Sequence, residues 1–210
     1  MNRFICISGC TASGKSSFAL ELSKSFENPV IINTDALQVY DCWEILTDRP
    51  TVKKPQHSLY GHVSCNKKYS VGDWIKDVKE IFYLNSKMSK TFIFVGGTGL
   101  YFNALLRGFS EIPQIPEDIR ELANSQDLSF FLEYLKKNDP NILEKIDIKN
   151  KRRVQRAWEV LKATDKSISY WQSNNTLPLV PFSNASLLLV EIDKEKLTNR
   201  ISSRVSHMME

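Results

Sequence analysis

Gly9-Cys10-Thr11-Ala12-Ser13-Gly14-Lys15-Ser16 is the stretch on which the fold turns. It follows the β-rich apolar run Phe4 to Ile7 and opens a helical pattern from Ser16 to Phe26. A G-x-x-x-x-G-K-S loop between a strand and a helix lets backbone N–H groups curl around a phosphate. The helix N-terminus adds partial positive charge, Lys15 a point charge, and Ser16 a hydroxyl suited to a metal ion. Gly9, Thr11, Ala12, Ser13, Gly14, Lys15 and Ser16 are therefore candidate phosphate-binding residues.

Outward from this loop, three further β-rich runs occur at Val30 to Ile32, Phe92 to Val95 and Leu187 to Val190. Short apolar runs separated by helical patterns mark parallel strands, so a doubly wound α/β core is expected. The helix Ser70 to Met88 opens on a Ser-x-x-Asp capping box, Ser70 to Asp73, and should bury Val71, Ile75, Val78 and Phe82. From Pro113 to Pro181 the pattern becomes helical without strands, which reads as an insertion. The expected organisation is a core over 1–115, a helical insertion over 116–182 and a return to the core over 183–210, with a last helix from Lys194 to Glu210.

Composition excludes much else. With 42% hydrophobic and 25% charged residues, 8 Gly and 8 Pro in 210, the chain is neither disordered nor fibrous. No apolar run exceeds four residues, so no membrane span is expected, and Met1 to Phe4 does not read as a secretory signal. Cys6, Cys10, Cys42 and Cys65 form no C-x-x-C pair and read as reduced thiols of a cytoplasmic protein. His57, His62 and His207 lack ligand spacing, and Trp43, Trp74, Trp158 and Trp171 read as packing residues.

Two more motifs belong at the same sheet edge. Asp35, in Asn33-Thr34-Asp35-Ala36-Leu37-Gln38-Val39-Tyr40, follows the second strand. A carboxylate there takes a proton from a nucleophile, binds Mg²⁺ through water, or merely caps a helix. Gly96-Gly97-Thr98-Gly99 follows the third strand where a hydrolytic ATPase would carry a metal-binding Asp, so ATP hydrolysis is disfavoured. Its glycines bring backbone and the Thr98 hydroxyl close to a ligand, or only permit close helix packing. Lys149, Lys151, Arg152, Arg153, Arg156, Lys162 and Lys166 outnumber Glu159 and Asp165, a pattern of a nucleic-acid contact or of a solvated helix face.

Taken in order, these motifs resemble the tRNA dimethylallyltransferase (tRNA isopentenyltransferase) family. The matching segments are Gly9 to Ser16, Asp35 to Tyr40, Tyr69 to Trp74, Val95 to Tyr101, Arg153 to Val160, and Arg200 to Val205 with Met208. Cys10, Ala36 and Arg152 depart from the family's usual Pro, Ser and Gln. Members continue beyond the position of Glu210 through a further helical portion. The resemblance implies a P-loop NTPase-like core whose loop grips a diphosphate leaving group. It implies transfer of a dimethylallyl group from dimethylallyl diphosphate to N6 of the adenosine 3′ to the anticodon. Lys15, Asp35 and Thr98 would be catalytic, with Mg²⁺ at Ser16. Asp35, Ala36, Leu37, Gln38, Thr98, Arg120, Arg152, Arg153, Val154, Gln155 and Arg156 would contact tRNA. A monomer with no membrane partner is expected; a free-nucleotide prenyltransferase and a non-catalytic tRNA- or nucleotide-binding protein are the alternatives.

Overall fold

A computed structural model describes residues 2–50 and 54–209. The chain divides into two compact units, residues 1–108 with 178–210, and residues 109–177.

The first unit is built on five parallel strands, β1 (Arg3–Gly9), β2 (Pro29–Asn33), β3 (Gln56–Ser58), β4 (Thr91–Gly96) and β5 (Ala185–Val190), in the order β3-β2-β4-β1-β5. Its helices are α1 (Lys15–Ser23), α2 (Glu44–Thr47), α3 (Val71–Leu84), α4 (Gly99–Arg107) and, numbered after those of the second unit, α10 (Lys194–Met209). Alternation along the strands supplies two buried faces. Ile5, Ile7, Ile31, Ile93 and Val95 pack with Ala19 of α1. Phe92 and Phe94 meet Phe82 and Trp74 of α3, and Trp74 stacks on Tyr101 of α4 at 4.7 Å. Helices on both sheet faces make the core the expected doubly wound α/β layer.

The Ser70 capping box forms in both directions, with Ser70 Oγ accepting from Asp73 N and the Asp73 carboxylate accepting from Ser70 N at 3.0 Å. The Ser70 hydroxyl, donating to the Asp73 carboxylate at 2.7 Å, and then the Ser70 N–H hold the Asp73 carboxyl below its usual pKa. The helix then buries Trp74, Ile75, Val78 and Ile81, leaving Val71 and Phe82 only half-buried. The apolar stripe is thus rotated from the sequence expectation, because the Trp74 indole is drawn under β2 to donate to the Asn33 carbonyl at 2.9 Å.

One sequence expectation is corrected and two features come only from the structure. The fourth apolar run does form a strand, but it lies at the sheet edge with Leu187, Leu188 and Leu189 exposed. The strand Gln56–Ser58 escaped the sequence reading because its polar residues carry no apolar run. Cys42 and Cys65, read as reduced, are joined in a disulfide; Cys6 and Cys10 are the free cysteines. The last helix is described to Met209, and its expected end at Glu210 lies outside the described residues.

The second unit holds α5 (Glu117–Ser125), α6 (Leu128–Asn138), α7 (Pro140–Leu143), α8 (Lys151–Thr164) and α9 (Ile168–Ser173). Val154, Ala157 and Trp158 of α8 enter one core with Ala123, Phe131, Leu135 and Ile142, as their helical spacing requires. Among the described residues no helix is long and apolar enough to cross a membrane.

Candidate active site

Each chemistry-bearing loop leaves the carboxyl end of a strand, the edge at which open parallel sheets bind ligands. After β1, the loop closes on itself through Ser13 N to Cys10 O (3.2 Å) and Lys15 Nζ to Cys10 O (3.1 Å). Gly14 stands at φ 93° as the residue before α1, a conformation that L side chains rarely adopt. The Ser13 hydroxyl is buried with no hydrogen-bond partner among the described residues. An unpaired buried polar atom inside a phosphate-type loop fits an anion's oxygen as its missing partner.

Asp35 follows β2, oriented from beneath. Asn33, fully buried, accepts from Asp35 N through Oδ1 at 2.9 Å and donates through Nδ2 to the Asp35 and Leu59 carbonyls, both at 2.9 Å. Asp35 Oδ1 accepts from Leu37 N at 2.9 Å, so the carboxylate organises its own turn rather than capping a helix. The sequence reading missed Asn33 as a positioning residue; its signal was a polar residue closing an apolar strand.

After β4, a Cβ at Gly96 would run into the Thr34 carbonyl, so only glycine allows the second and third loops to approach this closely. Thr98 N donates to that carbonyl at 3.1 Å, and Thr98 Oγ1 accepts from Ala36 N at 2.9 Å. The Thr98 hydroxyl therefore holds the Asp35 turn in place while keeping its own proton to donate.

Lys15, Ser16, Asp35 and Gln38 line one open cavity of about 560 Å³ together with Thr11, Ala12, Gly14 and Leu37. Thr98 is not among its lining residues. Burial, partly offset by the Asp35 carboxylate, holds the Lys15 ammonium below its ordinary pKa; Arg204 pushes the same way as burial. The remaining wall comes from residues that were not among the candidate site residues. Trp43, Leu46, Thr47 and Asp48 line one side, and Trp43, expected to be a packing residue, is 40% exposed. Arg200, Ser203, Arg204 and His207 of α10 line another. Arg200 Nη1 donates to Ser13 O at 3.2 Å, and Arg204 Nη1 lies 3.7 Å from Asp48 Oδ2. The i, i+4 spacing of the two arginines could have signalled a shared helix face, but only tertiary contact shows what that face meets.

In the helical unit the candidate residues separate. Arg152 and Arg153 are exposed, whereas Gln155 and Arg156 are half-buried. Gln155 Nε2 donates to Glu159 Oε1 at 2.9 Å and to Asn124 Oδ1 at 3.2 Å, and Arg156 Nη1 lies 3.6 Å from Glu159 Oε2. Burial, partly offset by the Glu159 carboxylate, holds the Arg156 guanidinium below its ordinary pKa, and the Arg120 charge acts in the same direction as burial. Arg120 Nε is buried without a hydrogen-bond partner among the described residues. Val154 is corrected: it is wholly buried in the unit's apolar core, so its side chain offers nothing to a nucleic acid.

The IPP transferase family model matches residues 38–210. The chain is 41% identical over 208 residues to a tRNA dimethylallyltransferase of Jannaschia sp. (strain CCS1), covering 98% of this chain and 70% of that protein. It is 41% identical to its counterpart in Roseobacter denitrificans, covering 72% of that protein. A solved structure of a eukaryotic dimethylallyltransferase acting on tRNA superposes with a TM-score of 0.83 at 26% identity over all of this chain, which spans 53% of that longer one. A tRNA isopentenylpyrophosphate transferase from Staphylococcus epidermidis superposes with a TM-score of 0.59 at 27% identity, 70% of it covered. With the loop after β1, the Asp35 turn and the glycine turn after β4 gathered at one sheet edge, and with relatives this similar along nearly its whole length, the chain belongs to the IPP transferase family.

Proposed function

We propose that this chain carries the catalytic core of a tRNA prenyltransferase, moving a dimethylallyl group from dimethylallyl diphosphate to N6 of the adenosine 3′ to the anticodon. One observation carries this: a single cavity is lined by a phosphate-type loop with Lys15, by the Asp35 carboxylate and by two arginines of α10. A cationic end suits a diphosphate, and Trp43, Leu37 and Leu46 offer apolar surface to a short prenyl chain. The relatives' names state tRNA as the molecule acted on.

In the proposed reaction the adenine N6 attacks the allylic carbon, the carbon–oxygen bond breaks, and its electron pair leaves on the diphosphate. Lys15, Arg200 and Arg204 stabilise the charge growing there, which is where fixed cations lower the barrier. Asp35 accepts the proton that N6 sheds. Asn33 and Thr98 keep the Asp35 turn in place. The residues fit a divalent ion such as Mg²⁺: the Ser16 hydroxyl and the Asp35 carboxylate are hard oxygen donors on one cavity. Bound there, the ion would supply further charge neutralisation to the leaving group. The target base must leave its stack, at a cost of a few kcal/mol that an anticodon loop reduces.

We assign the exposed Arg152 and Arg153, with Gln155, Arg156 and Arg120 beside them, to tRNA backbone contact, and the protein to the cytoplasm, where it meets tRNA. Incubation with labelled dimethylallyl diphosphate, Mg²⁺ and unmodified tRNA, with AMP in a parallel reaction, tests the assignment. Label in tRNA and none in AMP is expected. Label in AMP alone would transfer the chain to free-nucleotide chemistry, and tRNA binding without label would make it a binding protein.

A further inference from the structure

Beside the cavity, two short extended segments run together. Gly61 N donates to Gln38 O at 2.9 Å, Val63 N to Val39 O at 3.0 Å, and Asp41 N to Val63 O at 2.9 Å. Tyr40 and Val63 form a parallel bridge, and Cys65 N donates to Asp41 Oδ1 at 3.2 Å. This ladder ends at the Cys42–Cys65 disulfide, with a Cα–Cα distance of 6.1 Å. That separation is ordinary for paired cysteines, and the ladder maintains it independently of the sulfur–sulfur bond, so the two thiols stay juxtaposed after reduction.

Both cysteines are exposed, so small thiols reach them. The other two differ: Cys6 is buried, its thiol pushed up to about 12 by burial and so kept protonated, and Cys10 has no partner cysteine. Directly after Cys42 come Trp43, Leu46, Thr47 and Asp48, the whole of one cavity wall. This wall is thinly supported: α2 is one turn long, and Ile45 and Leu46 are 72% and 63% exposed. Its other ties include hydrogen bonds from Gln38 Nε2 to Thr47 O and from Arg49 to Tyr40 O, both at 2.9 Å, an Arg49–Glu44 ion pair at 3.0 Å and the Arg204–Asp48 pair at 3.7 Å. The disulfide is the covalent tie at the wall's leading end.

We propose that Cys42 and Cys65 form a reversible thiol–disulfide site that firms or loosens the Trp43–Asp48 wall of the cavity, with a low-molecular-weight thiol as its reaction partner. A thiolate attacks one sulfur and releases the other as a thiolate. A second thiol then resolves the mixed disulfide, leaving Cys42 and Cys65 as two thiols and the small molecule oxidised to its disulfide. Exposed disulfides are the ones that exchange, and a pre-organised wall binds its ligand at lower entropic cost. The effect on ligand rests on reading the cavity as a diphosphate site.

The probe is inorganic pyrophosphate with Mg²⁺, titrated into the air-oxidised and the dithiothreitol-reduced protein, together with thiol counting. Two reactive thiols are expected after denaturation of the oxidised form and four after reduction, matching the free and total cysteines. Reduction should raise the pyrophosphate Kd about fivefold, reversibly, and speed hydrogen exchange at the backbone amides of residues 43–48. Cys42→Ser and Cys65→Ser should bind as the reduced protein does and ignore dithiothreitol. Four thiols in the oxidised protein, an equal Kd in the two states, or a response that survives Cys42→Ser overturns the proposal. Pyrophosphate binding to neither state would remove the diphosphate reading of the cavity as well, which separates that failure from failure of the switch alone.

Discussion

The cavity of the first unit and the basic helix α8 of the second are both rich in cations, yet they hold them differently. In the cavity each cation is tied to a particular oxygen: Lys15 to the Cys10 carbonyl, Arg200 to the Ser13 carbonyl, and Arg204 near the Asp48 carboxylate. On α8, Arg152 and Arg153 stand exposed, while Arg156 lies 3.6 Å from the Glu159 carboxylate. Fixed cations around a small volume suit a compact anion whose charge changes during reaction, because no reorganisation is needed when that charge appears. Free cations along a helix suit a long polyanion, whose binding is diffuse and governed by counterion release.

The sharpest way to break this contrast is to remove one charge from the cavity. Lys15→Ala and Asp35→Asn should each reduce turnover about a hundredfold or more, measured as label transferred to tRNA, while tRNA affinity changes little. A cavity that tolerated both substitutions would not be a pre-organised site.

Arg204→Ala and Arg200→Ala come next, each raising the pyrophosphate Kd about tenfold in calorimetric titration. Unchanged affinity would mean that α10 only borders the cavity.

A pH titration sharpens the same point. The Lys15 pKa is depressed, so its charge, and pyrophosphate affinity with it, should fall with rising pH earlier than for an ordinary lysine. Asp35 raises that pKa, so Asp35→Asn should move the fall to still lower pH. A shift to higher pH would contradict the coupling between the two groups.

The smallest effect belongs to the helical unit. Arg153→Ala should weaken tRNA binding about threefold at moderate salt and reduce the slope of log Kd against log salt by about one, leaving pyrophosphate binding unchanged. An unaltered slope would assign that arginine to a solvated face.

Legibility in the sequence followed the range of the forces involved. The Ser70 capping box, the glycine-rich loop before α1 and the stripe Val154, Ala157, Trp158 were readable because each depends on residues within one or two turns. The stripe on α3 was read with Val71 and Phe82 at its ends where Trp74 and Ile81 are buried, because Trp74 is placed by a hydrogen bond to Asn33, 41 positions away. The disulfide was unreadable for the same reason, since Cys42 and Cys65 meet through a ladder between separate loops.

By itself the sequence determined the parallel α/β core, the phosphate-type loop, the candidate roles of Lys15 and Asp35, and the helical unit, all of which follow from local periodicity and spacing. Only tertiary structure decided that α10 brings Arg200 and Arg204 to the cavity, that Asn33 and Thr98 brace the Asp35 turn, and that β5 is an exposed edge. These depend on which strand ends become neighbours, and neighbourhood across the sheet is set by packing of the whole core rather than by any one segment.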